Sequence, residues 1–265
     1  AHFKESERVA FNDMPELERL MLHRLTELDS LVREAYLSFD YKRVIAALSA
    51  FMTSDLSAFY FDVRKDSLYC DAPSSLVRQA SLTVIDEIFQ RVSTWFAPIL
   101  AFTCEEAFIA RTGSADSSVH LQTFPATPAQ WRDDELAAKW RVIRNARRIV
   151  TGALEIERAN KRIGSSLEAA PVVYVGDEAT RAILASVDFA EVCITSGLTL
   201  EAGIGPEDAF RDAEAPGFAV VPVRASGVKC ARSWRYFDPA TADPEFPDVS
   251  PRDAMALREL KAMPA

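Results

Sequence analysis

At 265 residues the chain exceeds one typical domain, so two or three compact units are expected. Its 49% hydrophobic and 26% charged residues form an ordinary globular balance, with enough apolar material for a core. A net charge of −9 excludes indiscriminate adhesion to nucleic acid by the surface as a whole.

The first half reads as helix. Pro15 suits an early helical position, and Leu17, Leu20, Met21, Leu25, Leu28 and Val32 then recur at three- and four-residue steps. A second helix starts at Asp40, a good N-cap, and runs through Val44, Leu48, Phe51, Leu56 and Phe59 toward Lys65. Pro73-Ser74-Ser75 punctuates the chain before a third long helix over Leu76–Phe96, which Pro98 breaks or kinks. A shorter helix over 102–111 is expected to open on a capping box of Thr103 and Glu106. Together these predict an antiparallel bundle ending near Gly113, followed by a surface linker over 114–128 around Val119-His120-Leu121.

A long helix over 133–162 comes next. Val142, Ile143, Ala146, Ile149, Val150, Ala153 and Leu154 share one arc, with Arg141, Arg144, Arg148, Arg158 and Arg162 opposite. Between Lys139 and Arg162 eight basic residues stand against Glu155 and Glu157, a local +6 that leaves −15 on the remainder. Such a face either tracks a phosphate backbone or is a solvated helix surface. Beyond it, strands are expected at Pro171-Val172-Val173-Tyr174-Val175, at Val192-Cys193-Ile194-Thr195 and around Phe218 to Val223, with a helix over 178–186. The fold class is therefore mainly α: an antiparallel helical bundle, a long helix, a small α/β lobe and a zinc-ribbon-like C-terminal remnant. The expected domains are 1–128, 129–225 and 226–265.

That remnant is the most informative segment. Cys230 and Ser233, then Ser250 and Asp253 after a gap of sixteen residues, have the spacing of the paired C-x₂-C knuckles of a zinc ribbon. Only Cys230 keeps a thiolate donor, too few to close a structural site with Asp253, so no metal ligand set is expected and the lobe should fold without zinc. Trp234, flanked by Arg232, Arg235 and Tyr236, places aromatics among guanidinium groups. The indole serves either as a platform for unpaired bases or as the core of a small lobe.

Signs of a self-contained active site are missing. His2, His23 and His120 have no partner at metal-ligand spacing, and no phosphate-binding glycine loop or G-x-S-x-G elbow is present. Glu105-Glu106 is explained by a helix dipole, and the mixed-sign cluster Asp62 to Asp66 by charge pairing at a helix end. Cys70, Cys104, Cys193 and Cys230 lie far apart, which suits reduced thiols in a cytoplasmic protein. No signal-peptide core is seen at the N-terminus, and no apolar run approaches the roughly 20 residues that span a bilayer. The segment around Lys4 to Arg8 reads as the interior of a longer polypeptide.

Three stretches resemble one family. Asp55-Leu56-Ser57-Ala58-Phe59-Tyr60-Phe61-Asp62-Val63-Arg64-Lys65-Asp66-Ser67-Leu68-Tyr69 is similar to the anticodon-binding bundle of bacterial isoleucyl-tRNA synthetases. Lys161-Arg162-Ile163-Gly164-Ser165-Ser166-Leu167-Glu168-Ala169 resembles the segment after the family's long helix, and Cys230 to Tyr236 its C-terminal zinc knuckle. The resemblance implies a class I enzyme that charges tRNA(Ile) with isoleucine using ATP and magnesium. Its catalytic and editing domains are expected upstream of Ala1, since neither HIGH nor KMSKS occurs here. This part alone is expected to be catalytically inactive, monomeric and without a membrane partner. It should grip the tRNA anticodon stem-loop through Trp234, Arg232, Arg235, Tyr236, Arg141, Arg144, Arg148 and Lys65. The rival reading is an acidic helical protein-interaction module derived from such a bundle.

Overall fold

The computed structural model describes residues 4–114 and 116–263, so His2 lies outside the described residues. The chain divides into two compact units, one of residues 1–68 with 74–136 and the other of 69–73 with 137–265. The expected tail and α/β lobe thus fall in a single unit.

The first unit is the helical bundle. α1 (Glu16–Leu37) buries Leu17, Leu20, Met21, Leu25, Leu28 and Val32, the stripe read from its periodicity. Asp40 caps α2 (Tyr41–Ala50) by accepting from the Arg43 backbone N–H at 3.1 Å. From Phe51 to Phe61 the chain winds as a π-helix, then returns to α geometry in α3 (Asp62–Cys70). The wider turn places Phe51, Asp55, Phe59 and Val63, four residues apart, in the interior. Asp55 is tolerated there because Arg24 Nη2 lies 3.1 Å from its carboxylate.

The continuous helix Tyr41–Cys70 is long and apolar enough to cross a membrane by length and composition. This differs from the sequence expectation that no apolar run approaches the length that spans a bilayer, whereas the single helix expected from Asp40 toward Lys65 covers most of the stretch. Its inward residues fill the bundle core, and its Asp55 and Arg64 are ion-paired to α1.

Ser75 caps α4 (Leu76–Phe96), which buries Ala80, Val84, Ile88 and Trp95. α5 (Ala101–Thr112) ends at Gly113, whose φ of +69° is the left-handed conformation of a helix C-terminus. The expected capping box is not formed: Leu100 is the N-cap, and Thr103 already lies within the first turn. Glu105 has another task. Its Oε2 accepts from Ser118 Oγ at 3.0 Å and Val119 N at 2.9 Å, tying down the linker, where Val119 is buried. His23 is also internal, and its Nδ1 accepts from Asp133 N at 2.9 Å.

The second unit is built on α6 (Asp134–Ala159), whose first turn belongs to the bundle unit. Of its expected arc, Ile143, Ala146, Ile149, Val150, Ala153 and Leu154 are buried and Val142 is half-buried. A three-stranded sheet follows, ordered β2 (Thr199–Ala202), β1 (Val172–Val175), β3 (Phe218–Val221). β1 runs parallel to β2, with Val172 opposite Thr199, and antiparallel to β3, with Val172 opposite Val221. α7 (Glu178–Ala185) starts on Asp177, which accepts from Thr180 N.

The expected strand at 192–195 is corrected. Asp188 accepts from Glu191 N and starts a short helix, α8 (Phe189–Cys193), that Ile194 ends with a φ of +58°. A local cap here overrides the β-branched preference of Val192, Ile194 and Thr195. The C-terminal part pairs β4 (Val228–Lys229) with β5 (Tyr236–Phe237) as an antiparallel hairpin, then closes with α9 (Pro251–Ala262).

Candidate nucleic-acid interface

The β4–β5 hairpin and the start of α9 bring the four knuckle positions together. Gly227 permits the hairpin: its φ is +94°, and a Cβ there would meet Phe237 O at 2.1 Å. Ser250 is the N-cap of α9, accepting from Asp253 N at 3.3 Å, which places Asp253 in the first helical turn. Ser250 Oγ donates to Asp253 Oδ2 at 2.6 Å, Ser233 Oγ to the same oxygen at 2.8 Å, and Cys230 Sγ at 3.3 Å. Ser250 N donates to Cys230 Sγ at 3.3 Å. Beneath these groups Cys230, Val249 and Ala254 form a small core with Phe237, Phe246 and Leu257 against it.

Asp253 is fully buried. Burial alone would raise its pKa, but the hydrogen bonds from Ser250 and Ser233 and the charge of Arg252 outweigh it and hold the carboxyl below its ordinary value. Among the described residues no three or more His, Cys, Asp or Glu side chains are placed to hold a metal ion.

On this base Trp234 is displayed outward. It is 61% exposed, which removes the reading that it forms the core of the lobe. Its φ of +64° is unusual for a bulky residue, and its backbone N–H donates to Cys230 O at 3.0 Å. Phe39 of the bundle shares both features, at φ +58° and 76% exposed, so Trp234 is set apart by its place in the knuckle and by the cation beside it. Lys229 Nζ lies 5.1 Å from the ring centroid, a contact sequence reasoning did not single out although Lys229 borders the knuckle. One ring face with an adjacent cation can stack on a base and attract its phosphate.

The flanking residues have structural duties. Arg232 donates to Cys70 O at 2.6 Å and Tyr69 O at 3.1 Å, and its Nη1 is 3.5 Å from Asp253 Oδ1. Arg235 donates to Thr195 O at 3.1 Å. Tyr236 lies half-buried in β5, and its N–H donates to Ser196 Oγ at 2.7 Å. These three hold the knuckle to its own unit, the two arginines through their guanidinium groups and Tyr236 through its backbone.

On α6, Arg141 is exposed and Arg144 half-buried. Arg148 is committed to Asp212 at 2.6 Å and Glu214 at 3.7 Å, residues too distant in sequence for a helical wheel to reveal. Arg147 donates to Val192 O at 2.8 Å. At the C-terminal end of α6 an open cleft of about 590 Å³ is lined by Arg158, Lys161, Arg162 and Arg224 with Glu155 and Glu168. Arg158 pairs with Glu155 at 2.6 Å and Arg224 with Glu168 at 3.4 Å. Lys65 is exposed on α3 of the bundle unit.

Residues 18–174 match the family described as the anticodon-binding domain of tRNA ligase. The chain belongs to that family. This anticodon-binding chain is also similar to proteins named isoleucine–tRNA ligase. It is 61% identical over 259 residues to that of Brucella abortus biovar 1 (strain 9-941), covering 98% of this chain and 26% of the relative. With the Bradyrhizobium diazoefficiens protein it shares 58% over 262 residues, 99% of this chain and 26% of the relative. For Agrobacterium fabrum the values are 56% over 257 residues, 97% and 26%. The anticodon-binding chain thus spans about a quarter of the length of these curated relatives. The matched residues begin within α1 and end in β1, so the knuckle that displays Trp234 lies beyond them.

Proposed function

We propose that this chain is the anticodon-recognition part of an isoleucine–tRNA ligase, acting in the cytoplasm on tRNA(Ile). The observation that carries the proposal is the exposed Trp234 beside Lys229 on an acidic chain that belongs to the anticodon-binding family. The indole stacks on a base of the anticodon loop, and Lys229 neutralises an adjoining phosphate. Arg141 and Arg144 on α6 contact the phosphates of the stem. Arg148 contributes less, because Asp212 and Glu214 already compensate its charge. Arg232, Arg235 and Tyr236 act mainly by fixing the knuckle, while Lys65 adds an exposed cation from the bundle.

Aminoacylation, with its ATP, magnesium and isoleucine, belongs to the remaining three quarters of the relatives' length in this reading. The test is a gel-shift titration of the chain with tRNA(Ile) and with a transcript altered in the anticodon loop. Preference for the unaltered loop supports the proposal, and equal or absent binding of both rejects it. Absence of any shift would also favour the protein-interaction reading.

A further inference from the structure

A structural zinc knuckle closes around a cation, with thiolate or imidazole lone pairs aimed inward. The donor set of this chain does not fit that arrangement. Ser233 and Ser250 are neutral hydroxyls that direct their protons to Asp253 Oδ2, at 2.8 and 2.6 Å. Cys230 Sγ donates to the same oxygen at 3.3 Å and accepts from Ser250 N at 3.3 Å, so its sulfur is engaged on both sides within the protein. The polarity of the knuckle is inverted: an oxygen with negative charge stands at the centre, and protons point toward it from three sides.

We propose that the carboxylate of Asp253 takes the organising place of the metal and is the positioning residue that holds Trp234 outward. A buried carboxylate is stable only with paired charge and satisfied lone pairs. The charge condition is met, and the lone pairs of Oδ2 are satisfied, while the buried Oδ1 has no hydrogen-bond partner and only the Arg232 charge beside it. Two hydroxyls and a thiol serve Oδ2, while Arg232 lies 3.5 Å from Oδ1 and Arg252 3.5 Å from Oδ2. The link to the indole is short, because Ser233 immediately precedes Trp234, whose N–H donates to Cys230 O. Loss of the Asp253 acceptor releases both the strand end that carries Cys230 and the turn that carries Trp234. Arg232 and Arg252 extend the arrangement, contacting Cys70 O at 2.6 Å and the Asp71 carboxylate at 3.6 Å.

This goes beyond the proposed function, and its readouts do not depend on RNA. The 265-residue chain is purified in the presence of zinc, its metal content is measured, and the indole N–H resonance of Trp234 is followed with and without chelator. Trp234→Phe identifies the resonance by its disappearance. The expected result is no stoichiometric zinc and a resonance indifferent to chelation. Asp253→Ala, and the milder Asp253→Asn, should shift or broaden it. Joint replacement Ser233→Cys, Ser250→Cys and Asp253→Cys, which restores four thiolates on the same frame, should confer zinc binding and return a sharp resonance that chelator abolishes. Zinc in the unaltered chain whose removal moves the resonance would overturn the proposal. So would an unmoved resonance in both Asp253 variants, or failure of the triple variant to take up zinc.

Discussion

Glu18 and Arg64 form a buried two-pronged ion pair, Nε to Oε1 at 2.7 Å and Nη2 to Oε2 at 2.8 Å, between α1 and α3 of the bundle. Tyr60 and Ser81 donate to the same Oε1 at 3.1 and 3.0 Å, so the carboxylate is satisfied as well as neutralised. Breaking either half leaves a buried charge without its partner. Glu18→Leu or Arg64→Met should each destabilise the bundle by about 3–5 kcal/mol, whereas the two together should recover most of that loss. Urea unfolding followed by helical circular dichroism measures the cycle, and additive losses would contradict this coupling.

The hairpin under the knuckle depends on a residue without a side chain. Gly227→Ala forces a Cβ against Phe237 O and imposes a positive φ on alanine, at an expected cost of about 1–3 kcal/mol. Hydrogen exchange of Cys230 N, which donates to Arg235 O at 2.8 Å, should accelerate accordingly. Unchanged protection there would show that the hairpin accommodates the methyl group.

The Asp253 carboxyl sets a pH limit for the C-terminal lobe. Its pKa is below the ordinary value when folded, so its contribution is complete above the unfolded value of about 3.9 and is lost as pH falls through the folded value. The Trp234 signal should therefore be constant from neutral pH down to about 5 and change below about 4. A transition near neutrality would point to a different group.

Charge on α6 separates by partner. Arg141→Gln should reduce the slope of tRNA affinity against salt concentration by about one, and Arg148→Gln by clearly less. Filter binding over a salt series gives both slopes, and equal reductions would show that the Asp212 pair opens on binding.

Much of this was legible in the chain, because long helices advertise themselves by period: the buried stripes of α1, α4 and α6 follow directly from it. Short elements are decided by single contacts. Asp188 turned Val192-Cys193 into helix, and β2, mostly exposed, carries no alternation to betray it. The knuckle spacing indicated which four residues meet, but not that Asp253 would be the acceptor of the other three. Nor does a helical wheel show that Arg148 is engaged with Asp212, a partner set by how the chain folds back.

The central claim, that Trp234 is a platform for an anticodon base, is tested most directly by the affinity of the chain for tRNA(Ile) with and without Trp234→Ala. A stacking contribution of roughly 1–3 kcal/mol predicts a weakening of about five- to 150-fold, with the helical spectrum and the salt slope unchanged. Equal affinity of the two proteins would contradict it.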